Sequence, residues 1–264
     1  MKLAMERLRL DSYDSVEYRS IKKSPFTSHS LQSYGLITMA RDTQRWLLVQ
    51  RKHSIELVTI IKGSYNESDL DQMISNMTHE ELFRLVRSLG SYQEYKDYVA
   101  TIISGSKIKD RYLLLSYNKI NNNVDKIRTY IIECISGHID NIYQQDTFPD
   151  LEWSWVKGIK NKHCDTEDGI DTALREFREE SGIDCHHTIS SRTISYHHVS
   201  LYNVVYNTKC WVTIIDKEQD LPLPEESDNE VNSRGWYTRS QVYRLIKEEL
   251  AEVFTIAIGI SKSM

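Results

Sequence analysis

The stretch from Gly158 to Ile183 reads GIKNKHCDTEDGIDTALREFREESGI, and it constrains the fold more than any other part of the chain. Residues 170–180 have the periodicity of a helix, and Gly182 is placed to cap its carboxyl end. A strand-like segment, DLEWSWVKG, precedes this stretch, and strand-like segments follow it. The order strand, loop, helix, strand predicts a mixed α/β domain.

The predicted helix carries three carboxylates that share one face. Glu176, Glu179 and Glu180 are spaced i, i+3 and i+4, so their side chains emerge on the same side. Like charges repel, and a hard divalent cation such as Mg²⁺ or Mn²⁺ with oxygen ligands is the usual way to offset them. The alternative is a solvated acidic face with Arg175 and Arg178 as ion-pair partners.

The segment REFREESGI resembles the core of the Nudix box, Arg-Glu-apolar-x-Glu-Glu-x-Gly-apolar, at every fixed position. Seven residues separate Glu167 from Arg175, as the box requires, and Gly158 resembles its opening glycine. Eight residues instead of five lie between Gly158 and Glu167, and Cys164 stands where strict spacing would put the glutamate. Because loops tolerate insertions, we interpret this departure as a longer loop in a box spanning 158–183.

This resemblance implies a Nudix α/β/α sandwich with a metal-dependent hydrolase site. The implied metal ligands are the backbone carbonyl of Gly158 and the carboxylates of Glu176, Glu179 and Glu180. Arg175 is implied to orient a glutamate by an ion pair, and Glu167 to stabilise the box. Bound Mg²⁺ or Mn²⁺ would neutralise charge on bridging phosphates and lower the pKa of an attacking water.

A general base is expected outside the box, as is frequent in this family. Glu230 is our candidate catalytic base because EVNSRGWY places it just ahead of a short strand. Glu225 and Glu226 are rivals, and each of the three has the alternative of a solvent-facing loop acid. Lys157, beside Gly158, is either an exposed lysine or a contact to a phosphate.

The remaining chain divides into four predicted segments. Residues 1–32 form an amino-terminal arm, and residues 33–65 form the first part of the Nudix domain, where LVTIIKG is a candidate third strand. Residues 66–146 have helical spacing of apolar residues and form a helical insertion. Residues 147–264 form the second part of the domain, which ends in one amphipathic helix from Gln241 to Ile260.

The insertion between the first strands and the box resembles the layout of the mRNA-decapping Nudix enzymes of large DNA viruses, including poxviruses and African swine fever virus. SYGLITMARDTQRWLLVQRKHS and LEWSWVKGIK resemble their opening and the stretch before their box, although Val156 stands where proline is usual. The resemblance implies capped mRNA as the partner, with m7GDP and 5′-monophosphate RNA as products. It also implies that the insertion helps to hold the RNA.

Basic residues in the insertion are candidates for that RNA contact. Residues 96–128 contain seven basic and three acidic side chains. The candidate RNA-binding residues are Lys107, Lys109, Arg111, Lys119, Lys126 and Arg128, with Tyr112, Tyr117 and Tyr130 interleaved for stacking on bases. A solvated helix face with structural tyrosines is the alternative. The amino-terminal arm could add Arg7, Arg9, Arg19, Lys22 and Lys23.

Aromatic side chains could sandwich a methylated, positively charged base. The candidates are Trp46, Trp153, Trp155 and Tyr34, with core packing as the alternative for a strand tryptophan. His197 and His198 are expected to be structural or surface residues.

Composition limits the partners and the cellular compartment that we expect. The formal charge of −5 gives no whole-chain reason to expect a polyanionic partner, so nucleic-acid binding needs a local basic surface, and DNA is not expected. Four dispersed cysteines without a CxxC pair favour a reducing compartment. No apolar run suits a signal peptide or a membrane span, so we expect a cytoplasmic protein, in the host cytoplasm if it is viral. The oligomeric state stays open.

Two other functions fit the same residues. One is a Nudix pyrophosphatase for small nucleotides, dinucleoside polyphosphates or diphosphoinositol polyphosphates, in which the insertion is a lid or a dimerisation element. The other is a non-catalytic binding module that keeps the Nudix fold, for which the lengthened loop is the support.

Overall fold

A computed structural model describes residues 15–18, 29–103, 109–140, 151–160, 169–183, 188–199, 204–221 and 231–264 of the chain. The chain divides into two compact units. The sheet unit comprises Met1–Leu48, Ser154–Pro222 and Gly235–Met264, and the helical unit comprises Val49–Trp153 and Leu223–Arg234.

The strands follow the expected order and bracket a run of helices. They are β1 (Ser15–Tyr18), β2 (His29–Ala40), β3 (Trp46–Arg51), β4 (Trp153–Ser154), β5 (Val156–Ile159), β6 (Thr188–Val199), β7 (Val204–Ile215) and β8 (Val231–Tyr237). The helices are α1 (Ile55–Ile61), α2 (Leu70–Ser75), α3 (His79–Ser88), α4 (Tyr92–Ile102), α5 (Asp110–Asn121), α6 (Val124–Asp140), α7 (Ile170–Ser181), α8 (Arg239–Leu245) and α9 (Ala251–Ser261). The predicted α/β class, with a helical insertion between the first strands and the box, is confirmed.

The core of the sheet unit is built on β2. This strand pairs in parallel with β7, antiparallel with β5 and antiparallel with β3, while β7 also pairs with β6 and β6 with β1. Helix α7 packs against β2 and β5 on one face of the sheet. Helix α9 packs on the other face, where Phe254 meets the Trp46 ring at 5.0 Å between centroids. The unit is therefore a three-layer α/β/α sandwich.

The helical unit has its own core and its own caps. Thr78 and Glu81 form a reciprocal capping box at the start of α3, which packs on α4 and α6. Buried Ser116 on α5 hydrogen-bonds both the Tyr95 hydroxyl, at 2.8 Å, and the Ile60 carbonyl, at 2.9 Å. These bonds connect α1, α4 and α5 around an apolar interior.

Two elements differ from the sequence prediction. The segment predicted as a third strand is helix α1, because Ser54 accepts a hydrogen bond from the Leu57 amide and Leu57, Ile60 and Ile61 are all buried on one side. The single helix predicted at the carboxyl end is two helices, α8 and α9, because the backbone at Ile246 is extended (ψ 153°). Within the described ranges, no helix is both long and apolar enough to cross a bilayer.

Candidate functional site

Helix α7 begins and ends at glycines with left-handed backbone. Gly169 precedes it with φ 74°, and Gly182 follows it with φ 73°. A Cβ added to Gly169 would lie 2.1 Å from Cε1 of Tyr34 on β2. Both the backbone conformation and the packing therefore require glycine where the box helix starts.

The carboxylate of Glu176 lies directly on the backbone of β5. A Cβ added to Gly158 would lie 1.9 Å from Cδ of Glu176 and 2.1 Å from its Oε1. Glu176 is also the most enclosed of the acidic residues on α7, with only 8% of its surface exposed. Glycine at position 158 is what allows a carboxylate and a strand backbone to meet here.

Arg175 connects two of the three glutamates. Its Nη2 lies 2.8 Å from Oε1 of Glu176, and its Nη1 lies 2.8 Å from Oε2 of Glu179. The same Nη2 donates to the Ile159 carbonyl at 3.3 Å. The guanidinium thus neutralises part of the carboxylate repulsion and fixes the helix to β5.

The donors fit a hard divalent cation in their chemistry. Carboxylates of Glu176, Glu179 and Glu180, beside the open backbone of Gly158, are the oxygen ligands that Mg²⁺ and Mn²⁺ prefer. Within the described residues, however, no three acidic, histidine or cysteine side chains converge on one point. Arg175 instead bridges Glu176 and Glu179, so cation binding would have to draw Glu179, whose side chain is 57% exposed, away from it.

Several predicted site residues lie outside the described residues. They are Glu167, Cys164, Lys107, the three candidate bases Glu225, Glu226 and Glu230, and the basic residues of the amino-terminal arm. The strand expected just after Glu230 is present as β8.

Lys157 does not lie on the face of the box helix. Successive residues of a strand point to opposite faces, so Lys157 is directed away from Gly158 and α7. Its Nζ lies 5.9 Å from the centre of the Trp155 ring. Burial raises the pKa of the Cys210 thiol, and the positive charge of Lys157 opposes part of that rise. The alternative that Lys157 contacts a phosphate at the box is therefore wrong.

Two of the four aromatic candidates are core residues. Trp46 is 4% exposed and packs on Phe254, and Trp155 is 1% exposed and meets Tyr196 edge-on at 6.1 Å. Trp153 on β4 is half-buried. Tyr34 is half-buried and packs against Gly169 at the start of α7.

Sequence reasoning missed two residues beside Tyr34. The Trp211 ring stacks on Tyr34 at 6.4 Å between centroids, and Lys209 Nζ lies 5.2 Å from the centre of the Trp211 ring. The register pairs Tyr34 with Lys209 on one side and with Gly158 on the other. Only strand pairing reveals this, because 175 positions of sequence separate Tyr34 from Lys209.

The basic residues of the helical unit make contacts within that unit. Lys126 pairs with Asp71 at 2.7 Å, Arg128 with Asp125 at 3.2 Å and Lys96 with Asp110 at 3.0 Å. Lys119 donates to the Tyr65 carbonyl and covers the Tyr65 ring. The Arg111 guanidinium lies 4.5 Å from the centre of the Tyr112 ring, and Lys109 is exposed at the start of α5. RNA binding by these side chains stays a prediction.

Comparison of the fold with solved structures finds similar chains at low sequence identity. A C. elegans Ap4A hydrolase binary complex matches at 10% identity and TM-score 0.46, over 89% of this chain and 99% of that one. The Nudix domain of Shewanella oneidensis NrtR, in complex with ADP ribose, matches at 11% identity and TM-score 0.41, over 90% and 92%. The E. coli dihydroneopterin triphosphate pyrophosphohydrolase matches at 13% identity and TM-score 0.37, over 83% and 87%.

No family model and no curated protein matches the sequence.

Proposed function

We propose that the chain is a metal-dependent Nudix hydrolase that cuts a phosphoanhydride in a nucleoside diphosphate linked to another group. The observation that carries this proposal is the contact between Glu176 and the Gly158 backbone, with Arg175 bridging Glu176 and Glu179. A solvated acidic helix face does not need a glutamate with only 8% of its surface exposed, packed against a strand glycine. This buried contact supports a functional role for the REFREE helix.

The residues divide the work of the reaction between them. Glu176, Glu179 and Glu180, with the Gly158 carbonyl, would hold Mg²⁺ or Mn²⁺, which supplies charge neutralisation at the phosphates and a water of lowered pKa. Arg175 orients Glu176 through its 2.8 Å ion pair. We assign the proton acceptor for the attacking water to Glu230, ahead of β8, and support of the box loop to Glu167.

For the substrate we propose capped mRNA, cut to m7GDP and 5′-monophosphate RNA in the cytoplasm. The support is the resemblance in layout to viral decapping enzymes, in which a helical insertion precedes the box. Lys109, Arg111 and Tyr112 lie together at the start of α5, and they supply two cations and an aromatic ring at the surface.

A second candidate is a pyrophosphatase for small nucleotides such as dinucleoside polyphosphates. The observation that favours it is the internal pairing of Lys96, Lys126 and Arg128, because cations already paired with carboxylates attract RNA less strongly. In that case the helical unit has a role other than holding RNA.

The test is a substrate panel with a matched helix control. Cap-labelled RNA, free cap analogue, a dinucleoside tetraphosphate and ADP-ribose are incubated with the full chain in Mg²⁺, in Mn²⁺ and with a chelator. Glu179→Gln removes a proposed ligand, whereas Asp171→Asn removes an exposed carboxylate from the first turn of the same helix, about two turns away from Glu179.

We expect metal-dependent release of m7GDP by wild type and Asp171→Asn, and loss of release in Glu179→Gln. Faster turnover of the small nucleotides than of capped RNA would replace decapping with the second candidate. Absence of turnover on every substrate and metal would reject the hydrolase and leave a binding module.

A further inference from the structure

The face of the sheet that carries α7 continues as a half-exposed polar surface on β2, β6 and β7. We call it the polar strip, and it consists of Tyr34, Ser195, His197, Asn207 and Lys209. Tyr34 shares the face of Gly158 because the two are paired in register, and Lys209 shares it because it is paired with Tyr34. Ser195 pairs with Lys209, and His197 pairs with Asn207.

The residues that alternate with the strip are buried under the opposite layer. Ser33, Tyr196, Thr208 and Cys210 are each at most 5% exposed, whereas every member of the strip is half-buried. The strip is therefore less tightly packed than the opposite face of these strands, and its polar side chains are partly exposed beside α7. A polar ligand can approach the carboxylates of α7 along this partly exposed strip.

The strip lies close enough to the carboxylates of α7 for one extended substrate to contact both. Lys209 is two strand steps from Gly158, which is roughly 10 Å across the sheet. The His197 and Asn207 pair lies two residues further along the strands, about 7 Å beyond Lys209. A phosphate chain that begins at Glu176 could therefore pass Lys209 and place a nucleoside beside His197 and Asn207.

The side chains of the strip have complementary chemistry. Lys209 is held over the Trp211 ring, which in turn stacks on Tyr34. Asn207 Oδ1 lies 2.5 Å from His197 Nδ1, so the imidazole N–H donates to the amide carbonyl and the amide N–H₂ group is directed elsewhere. The strip thus has a cation for a phosphate, and donor and acceptor groups for a ribose or base edge.

We propose that the polar strip binds the nucleoside diphosphate part of the substrate, with Lys209 contacting a phosphate and Asn207, oriented by His197, hydrogen-bonding the nucleoside. Trp211 and Tyr34 are positioning residues, since they hold Lys209 and the start of α7. This inference rests on the proposed function for the identity of the substrate. It names the binding surface for that substrate outside the box.

The chain contains a matched control for Lys209. Lys157 is also half-buried and also lies over a tryptophan ring, that of Trp155, but it is on the opposite face of the sheet. The experiment measures equilibrium binding of GDP, m7GDP, ADP and inorganic pyrophosphate by titration calorimetry, with chelator present so that no turnover occurs. Wild type is compared with Lys209→Met, Lys209→Arg, Asn207→Ala and Lys157→Met, each checked by its denaturation midpoint.

We expect Lys209→Met to raise the Kd of all four ligands about tenfold and Lys209→Arg to restore most of the binding. Asn207→Ala should raise the Kd of the nucleotides roughly fivefold while leaving that of pyrophosphate unchanged. Lys157→Met should bind as wild type does. A variant with a lowered denaturation midpoint is judged at a temperature where it is fully folded.

Equal binding by Lys209→Met and wild type, equal weakening by Lys157→Met, or no nucleotide binding by wild type would overturn the inference. Its failure is distinguishable from failure of the proposed function. Hydrolysis by a wild type whose binding ignores Lys209 rejects only the strip. Binding that depends on Lys209 without any hydrolysis rejects only the enzyme.

Discussion

The two faces of the same sheet differ in how tightly their side chains are packed. On the α9 face, Trp155, Tyr196 and Cys210 are packed together with at most 3% of their surfaces exposed. On the α7 face, Gly158 is open to a carboxylate and the polar strip is half-exposed. Because strand residues alternate, each strand contributes to both faces, and adjacent residues such as Lys157 and Gly158 lie on opposite sides of the sheet.

The largest effect expected on the α7 face comes from its carboxylates. Glu179→Gln and Glu180→Gln should each lower kcat at least about a thousandfold, because they remove metal-held transition-state stabilisation of several kcal/mol. The measurement is turnover of the best substrate at saturating metal, with Asp171→Asn as the control. Near-normal turnover in both variants would remove the metal-helix assignment.

Gly158→Ala tests whether activity requires a residue without a side chain at position 158, next to Glu176. The new methyl would overlap the Glu176 carboxylate, 1.9 Å away, so the glutamate must leave its position. We expect about a hundredfold loss of kcat/KM. Gly259→Ala, on α9, is the control, because a Cβ there meets nothing within 4 Å. Wild-type activity in Gly158→Ala would show that Glu176 can function elsewhere.

Trp155→Leu should lower the stability of the protein while leaving its activity nearly unchanged. It leaves a cavity beside Tyr196 on the α9 face, and we expect a loss of about 2 kcal/mol in the free energy of unfolding. Activity per folded molecule should stay within about twofold of wild type at temperatures below the transition. Chemical denaturation and a rate assay on the same sample make the comparison. A large loss of kcat without a loss of stability would mean that the two faces are coupled.

The smallest effect concerns Cys210, whose pKa burial raises to about 12. Below the pKa of the thiol in the unfolded chain, near 8.5, the thiol is protonated in both states and the full stability is present. As the pH rises above that value, only the unfolded chain ionises the thiol, so the folded state loses stability. Relative to Cys210→Ala, wild type should lose about 1 kcal/mol between pH 7.5 and pH 9.5. The measurement is the difference in denaturation midpoints at the two pH values, and a pH-independent difference would contradict it.

Helix α7 was predictable in position and type because its information is local. Apolar residues at helical spacing bury Ala173 and Phe177, and Gly182 ends the helix through its own left-handed backbone. Helix α1 was not predictable in type, since LVTII contains residues that favour strands, and the Ser54 cap with its buried partners decided the outcome. Local propensity is weak where tertiary burial opposes it.

The candidate site divides in the same way. The spacing of Glu176, Glu179 and Glu180, and the glycine at position 158, are present in the sequence, because a helix and a short strand place nearby residues at fixed intervals. The face that Lys157 occupies, the hydrogen bond from Arg175 to the Ile159 carbonyl, and the proximity of Lys209 to Tyr34 came only from the tertiary structure. Strand register joins residues that are far apart in sequence, and a shift by one residue would move every side chain to the other face, so no local pattern contains that information.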